Sequence, residues 1–193
     1  MTIASTAVIL VVGIMVRQLG RGPAISVGLG VAALGIGLLA VAEGLDGYLA
    51  LGIALALVGL GVGVAATLGT DAVVSAVPKA RASVSETAYE LGVALGIAVL
   101  GSLQVWSYRN NLVIPEGIDQ AAADATRDSL ASAHRVLDLT DPIQVALLSD
   151  AQHAFAGGMQ LAAVTTAVLL VIAAIVAWRV ISSEKEAIQH DAH

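Results

Sequence analysis

Four long stretches without a single charged side chain limit what this chain can become more than any motif does. Residues 22–42, 47–70, 91–108 and 154–178 contain no Asp, Glu, Lys or Arg. Each approaches or exceeds the roughly 18–20 residues that a helix needs to cross the hydrocarbon core of a bilayer. Composition agrees: 58% of the residues are hydrophobic and 12% charged, against about 45–50% and about 25% in soluble domains. A chain of this kind is all-α and polytopic, because only segments that satisfy their own backbone hydrogen bonds tolerate lipid.

A fifth apolar stretch, residues 1–16, is followed by Arg17 and Arg21. A secretory signal has the opposite order, with the basic residues first, so this stretch reads as another span. The expected organisation is five transmembrane helices, at about 1–16, 23–42, 47–70, 84–107 and 154–178. An outer loop at 108–152 and a polar tail at 181–193 complete it, with the bundle occupying 1–180. The chain has no cysteine, which removes disulfides, thiolate metal sites and cysteine nucleophiles.

Basic residues orient the spans. The loop RQLGRGP carries Arg17 and Arg21, the next connection carries Glu43 and Asp46 and no base, the third carries Lys79 and Arg81, and the segment after 178 carries Arg179 and Lys185. This alternation places the first and third loops and the C-terminus in the cytoplasm. The N-terminus then starts outside, an arrangement that leads us to expect further chain upstream. The outer loop holds seven acids against three arginines. Within it Ala122, Ala125, Leu130, Ala133 and Leu137 recur at helical spacing, which predicts one or two short amphipathic helices. Asp141-Pro142 is a cap-and-first-residue pair that opens a second short helix.

Glycines are patterned along the spans. Gly59 with Gly63, and Gly92 with Gly96, form small-xxx-small pairs that let helix backbones approach in lipid. A phosphate-cradling role for GLGVG would need a strand and a soluble βαβ unit, for which the sequence has no room.

Carboxylates in such helices are costly and carry a function or a partner. In VSETAYELGVALG, Glu86 and Glu90 are four residues apart and so share one helix face, about 6 Å apart along the axis. Ser83-Val-Ser-Glu86 also matches a capping box, which would give Glu86 a local role. Glu90 lies one turn deeper, roughly 10 Å from that cap, and is the stronger candidate for a proton or cation site. Asp71 suits a pairing with Lys79 or Arg81, and Glu43 and Asp46 suit a solvated turn. His134, His153, His190 and His193 have no partners at metal-ligand spacing. Trp106 and Trp178 close two spans at opposite interfaces, as aromatic belts do. No Ser/His/Asp grouping, metalloprotease motif or nucleotide loop is present, so nothing supports an enzyme or a nucleic-acid binder.

The stretch AVPKARASVSETAYELGVALGIAVLGSL resembles the cytoplasmic loop and penultimate helix of fourteen-helix drug:proton antiporters of the major facilitator superfamily, above all quaternary-ammonium efflux pumps. Glu86 and Glu90 match that family's two acidic positions. GIMVRQLGRG is similar to the degenerate second copy of the superfamily's cytoplasmic loop motif. There Gly13, Gly20 and Arg21 match, while Arg17 and Gln18 stand where an aspartate and an arginine are usual. The resemblance implies five spans equivalent to the C-terminal helices of such a pump, driven by the proton gradient without a cofactor. Its partners would be lipophilic cationic drugs, protons and the lipid bilayer, together with missing N-terminal helices or another membrane chain. The place of work would be the plasma membrane. The alternative is a small non-transporting membrane protein that acts as an assembly or regulatory partner.

Overall fold

The computed structural model describes residues 20–41, 48–76 and 82–190, with side-chain surroundings defined within 22–40, 48–70 and 86–180. Among the described residues six helices follow one another: α1 (Arg21–Val41), α2 (Tyr48–Ala76), α3 (Ala82–Asn111), α4 (Gln120–Asp128), α5 (Leu130–Val136) and α6 (Pro142–His190). There is no strand among the described residues. Four helices contain segments long and apolar enough to cross a membrane: Gly22–Ala40, Tyr48–Thr70, Glu86–Asn111 and Pro142–Val180. The span expected at 1–16 lies outside the described residues, as do Glu43, Asp46, Lys79 and Arg81.

The chain divides into two compact units, Met1–Ala94 with Ala163–His193, and Leu95–Ala162. In the first, α1 and α2 pack as an antiparallel pair whose seam is built from small residues. A Cβ on Gly61 would run into the Ala32 nitrogen and sit 2.5 Å from the Gly28 carbonyl oxygen; one on Gly35 would lie 2.7 Å from the Val58 nitrogen. These glycines let the two backbones touch, which is how helices associate where lipid supplies no hydrophobic force. Ala24, Ile25, Val64 and Leu68 close one end of the seam, with Leu29 and Ala177 against them. Hydroxyls are satisfied within their own helices: Ser26 Oγ donates to the Gly22 carbonyl (3.1 Å) and Thr67 Oγ1 to that of Gly63 (2.8 Å). Such back-bonding makes a hydroxyl tolerable at membrane depth.

The second unit is a small helical lobe, and each of its helices starts on a capping side chain. Asp119 Oδ2 accepts from the Ala121 amide (3.0 Å), Ser129 Oγ from Ser132 (3.1 Å) and Asp141 Oδ1 from Ile143 (2.9 Å). Each cap satisfies an amide that the first turn leaves without an intrahelical partner. Ala122, Ala133, Leu137, Leu147 and Leu148 form its core, packed by Leu112, Ile114, Ile118 and Leu130. The predicted short helices are therefore α4 and α5. Tyr108 donates its hydroxyl hydrogen to the buried Thr126 carbonyl (2.6 Å) and meets Phe155 edge to face at 6.5 Å. A Cβ on Gly158 would stand 2.9 Å from the Gln104 carbonyl oxygen, marking a close crossing of α3 and α6.

The helix opened by Asp141-Pro142 is α6 itself, and it runs on without a break through the span expected at 154–178. Its 49 residues reach about 70 Å at 1.5 Å per residue, while the hydrocarbon core is about 30 Å thick. α6 is thus longer than a single crossing requires. Residues 181–190 continue it; SSEKEAIQ contains good helix formers and no proline or glycine, so nothing stops the propagation.

Candidate functional site

Glu86 and Glu90 stand on the first half of α3, in its second and third turns, and both are exposed. Their surroundings are apolar and also uncovered: Tyr89 is 74% exposed, Leu91 58%, Leu95 64% and Ile97 70%. Cβ atoms placed on Gly92 and Gly96 would meet nothing within 4 Å. Among the described residues, this helix of membrane length is thus exposed around two acids. Charged carboxylates facing lipid tails would cost several kcal/mol each. A polar cavity, or another helix that supplies one, is what such a face requires.

The helix begins at Ala82, one residue before Ser83, so Ser83 is a first-turn residue; its side chain lies outside the described ones. Further along α3, Gly101, Ser102, Trp106 and Arg109 line an open groove of about 640 Å³ in the second unit. Arg109 is exposed in the last turn, where a cation complements the helix dipole.

In the loop motif, Gly20 has a backbone reason for its identity. Its φ is +86°, a region that costs other residues strain, and its carbonyl accepts from Ala24 to start α1 (3.2 Å). Gly13 and the Arg21 side chain lie outside the described residues. Of the glycine pairs, a Cβ on Gly59 also meets nothing within 4 Å, and Gly63 is half-buried. The glycines that make the seam, Gly28, Gly35 and Gly61, stand in the same glycine-rich runs of the sequence, although spacing singles out Gly59 with Gly63. Gly59, Gly61 and Gly63 alternate, and only knowledge of the neighbouring helix tells which face meets it. Among the described residues no three His, Asp or Glu converge on a metal-sized site.

Two named relatives accompany this geometry. The chain is 39% identical over 122 residues to the multidrug efflux pump LfrA of Mycolicibacterium smegmatis, a match covering 61% of this chain and 24% of that protein. It is 28% identical over 174 residues to the methyl viologen resistance protein SmvA of Salmonella typhimurium, covering 87% of this chain and 35% of that one. The chain thus spans about a quarter to a third of the length of the curated relatives it matches. No family model and no solved structure matches it. It is a helical chain with four segments long and apolar enough to cross a membrane, and it is similar to part of a drug-efflux protein and of a drug-resistance protein.

Proposed function

We propose that this chain forms the C-terminal part of a proton-coupled multidrug efflux transporter of the major facilitator type, expelling lipophilic cations by alternating access from the plasma membrane. The observation that carries this reading is the bare first half of α3. It places two carboxylates on an otherwise apolar helix of membrane length, in a chain 39% identical over 122 residues to a multidrug efflux pump.

Glu90, with Glu86 one turn away, binds either a proton or the cationic drug. Protonation removes the charge that attracts the cation, and a bound cation disfavours the proton, so each displaces the other. Alternating access in such folds needs two bundles moving about a site between them. In this reading, helices beyond the described residues, such as an N-terminal bundle or another membrane protein, cover the α3 face. Gly92 and Gly96 on α3, and Gly59 and Gly63 on α2, offer them close approach. The loop with Gly13, Gly20 and Arg21, and the C-terminus, face the cytoplasm by their basic residues.

In the transporter that contains this chain, Glu90→Gln is expected to abolish efflux of a lipophilic cation while leaving the amount in the membrane unchanged. Undiminished efflux at equal expression would remove Glu90 from the mechanism. A non-transporting assembly partner would use the same uncovered face; it predicts a stable complex with another membrane protein and efflux indifferent to Glu90.

A further inference from the structure

The carboxylates proposed above attract a cation but do not choose one. By charge alone Glu86 and Glu90 would hold a hydrated alkali ion as readily as a drug, so a neighbouring group must set the preference. Aromatic side chains are scarce: two tryptophans, three tyrosines and one phenylalanine. Tyr108 and Phe155 meet each other edge to face, Trp106 and Trp178 stand near the ends of spans, and Tyr48 opens α2. Tyr89 is the one with glutamates within a turn of it on its own helix, and its side chain is 74% exposed.

Helix geometry sets this arrangement, whatever lies opposite α3. Glu86 is the shared neighbour. Tyr89 stands three residues on and Glu90 four, both about one turn along, roughly 60° to one side of Glu86 and 40° to the other. Residues at these spacings have Cβ atoms about 5–6 Å apart. A phenol ring thus flanks Glu86 on one side and a second carboxylate on the other. The face of such a ring attracts a cation through its quadrupole, most strongly when the cation is desolvated. A cation whose charge is spread over methyl groups sheds water readily and has no N–H hydrogen to give a carboxylate. The ring is worth most to that kind of head, and its attraction involves no exchange of a proton.

We infer that Tyr89 is the specificity-determining residue of the cation site, its ring face lying against a methylated ammonium head that Glu86 and Glu90 neutralise. This role rests on Glu90 being the cation site. The competing role is an anchor at the membrane interface, since Tyr89 lies only about 4.5 Å along the axis from the Glu86 start of the span. The two roles differ in whether the electrons of the ring matter.

Transport kinetics separate them, in the transporter that contains this chain and with trimethylammonium-diphenylhexatriene as the cation. Tyr89→Phe is followed by phenylalanines bearing one, two and three ring fluorines at the same position, which drain electrons from the ring face while keeping its shape. KM should rise at each step, to about tenfold above the Tyr89→Phe value with three fluorines, the loss falling on KM rather than kcat. Tyr89→Leu should raise KM at least as far. A KM that stays flat across the fluorine series would overturn the contact, and so would a loss that appears only as less protein in the membrane. Glu90→Gln in the same assay keeps the two claims apart. Transport by it at the wild-type rate would remove the cation site and the contact with it, whereas an inactive Glu90→Gln beside a flat fluorine series would remove the contact alone.

Discussion

Asp138 shows how single side chains hold the helical lobe together. Its Oδ1 accepts from both the amide and the hydroxyl of Thr140, at 2.9 and 2.8 Å, and these bonds hold its carboxyl below the usual value. The charged form is the one stabilised in the fold, so its contribution is fully present above the unfolded pKa and is lost as pH falls through the folded one. Thr140→Val should therefore raise the Asp138 titration midpoint toward the ordinary carboxylate value, as read by NMR; an unmoved midpoint would contradict the assignment. Tyr108 makes the lobe's buried tie. Tyr108→Phe keeps the ring against Phe155 but leaves the Thr126 carbonyl without its donor, a loss of about 1–3 kcal/mol. Limited proteolysis between residues 112 and 141 should accelerate in that variant. Cleavage at the wild-type rate would show the hydrogen bond to be dispensable.

At the scale of helices, the seam of α1 and α2 depends on which glycines face inward. A methyl group on Gly61 meets backbone atoms of Gly28 and Ala32, and one on Gly59 meets nothing. Gly61→Ala should cost about 1–3 kcal/mol by overpacking and lower the melting temperature of the 193-residue chain in detergent, while Gly59→Ala leaves it in place; equal effects would refute the seam. The sequence made the helices legible because charge-free runs of membrane length admit few other folds. Segments expected at 23–42, 47–70 and 84–107 became α1, α2 and α3 with ends shifted by a few residues, apart from the C-terminal end of α2, which runs on to Ala76. It also exposed α4 and α5, whose spacing of Ala122, Ala133 and Leu137 put those residues in the core. The extent of α6 was hidden, because Ser149, Asp150 and His153 read as loop chemistry although no proline or glycine interrupts the chain between 142 and 157. The Tyr108 tie was hidden for another reason. It joins residues far apart in sequence and leaves no periodic trace.

At the scale of the whole molecule, the proposed function rests on a face of α3 that the described residues leave exposed. Two acids were legible in the sequence because charge is rare where lipid is expected, but spacing cannot say what lies opposite them. Topology is open to direct test. Single cysteines introduced at residues 119 and 185 should be labelled from opposite sides of the membrane, the first from outside and the second only after permeabilisation. Labelling of both from one side would contradict the orientation. The central claim is that Glu90 exchanges a proton for a lipophilic cation. It is tested most directly by reconstituting the transporter that contains this chain into liposomes that hold a pH-sensitive dye. Adding a monovalent lipophilic cation to the wild type should move protons across the bilayer in the direction opposite to the cation, and Glu90→Gln should move neither. Cation movement without proton movement in the wild type, or proton exchange that survives Glu90→Gln, would contradict the account.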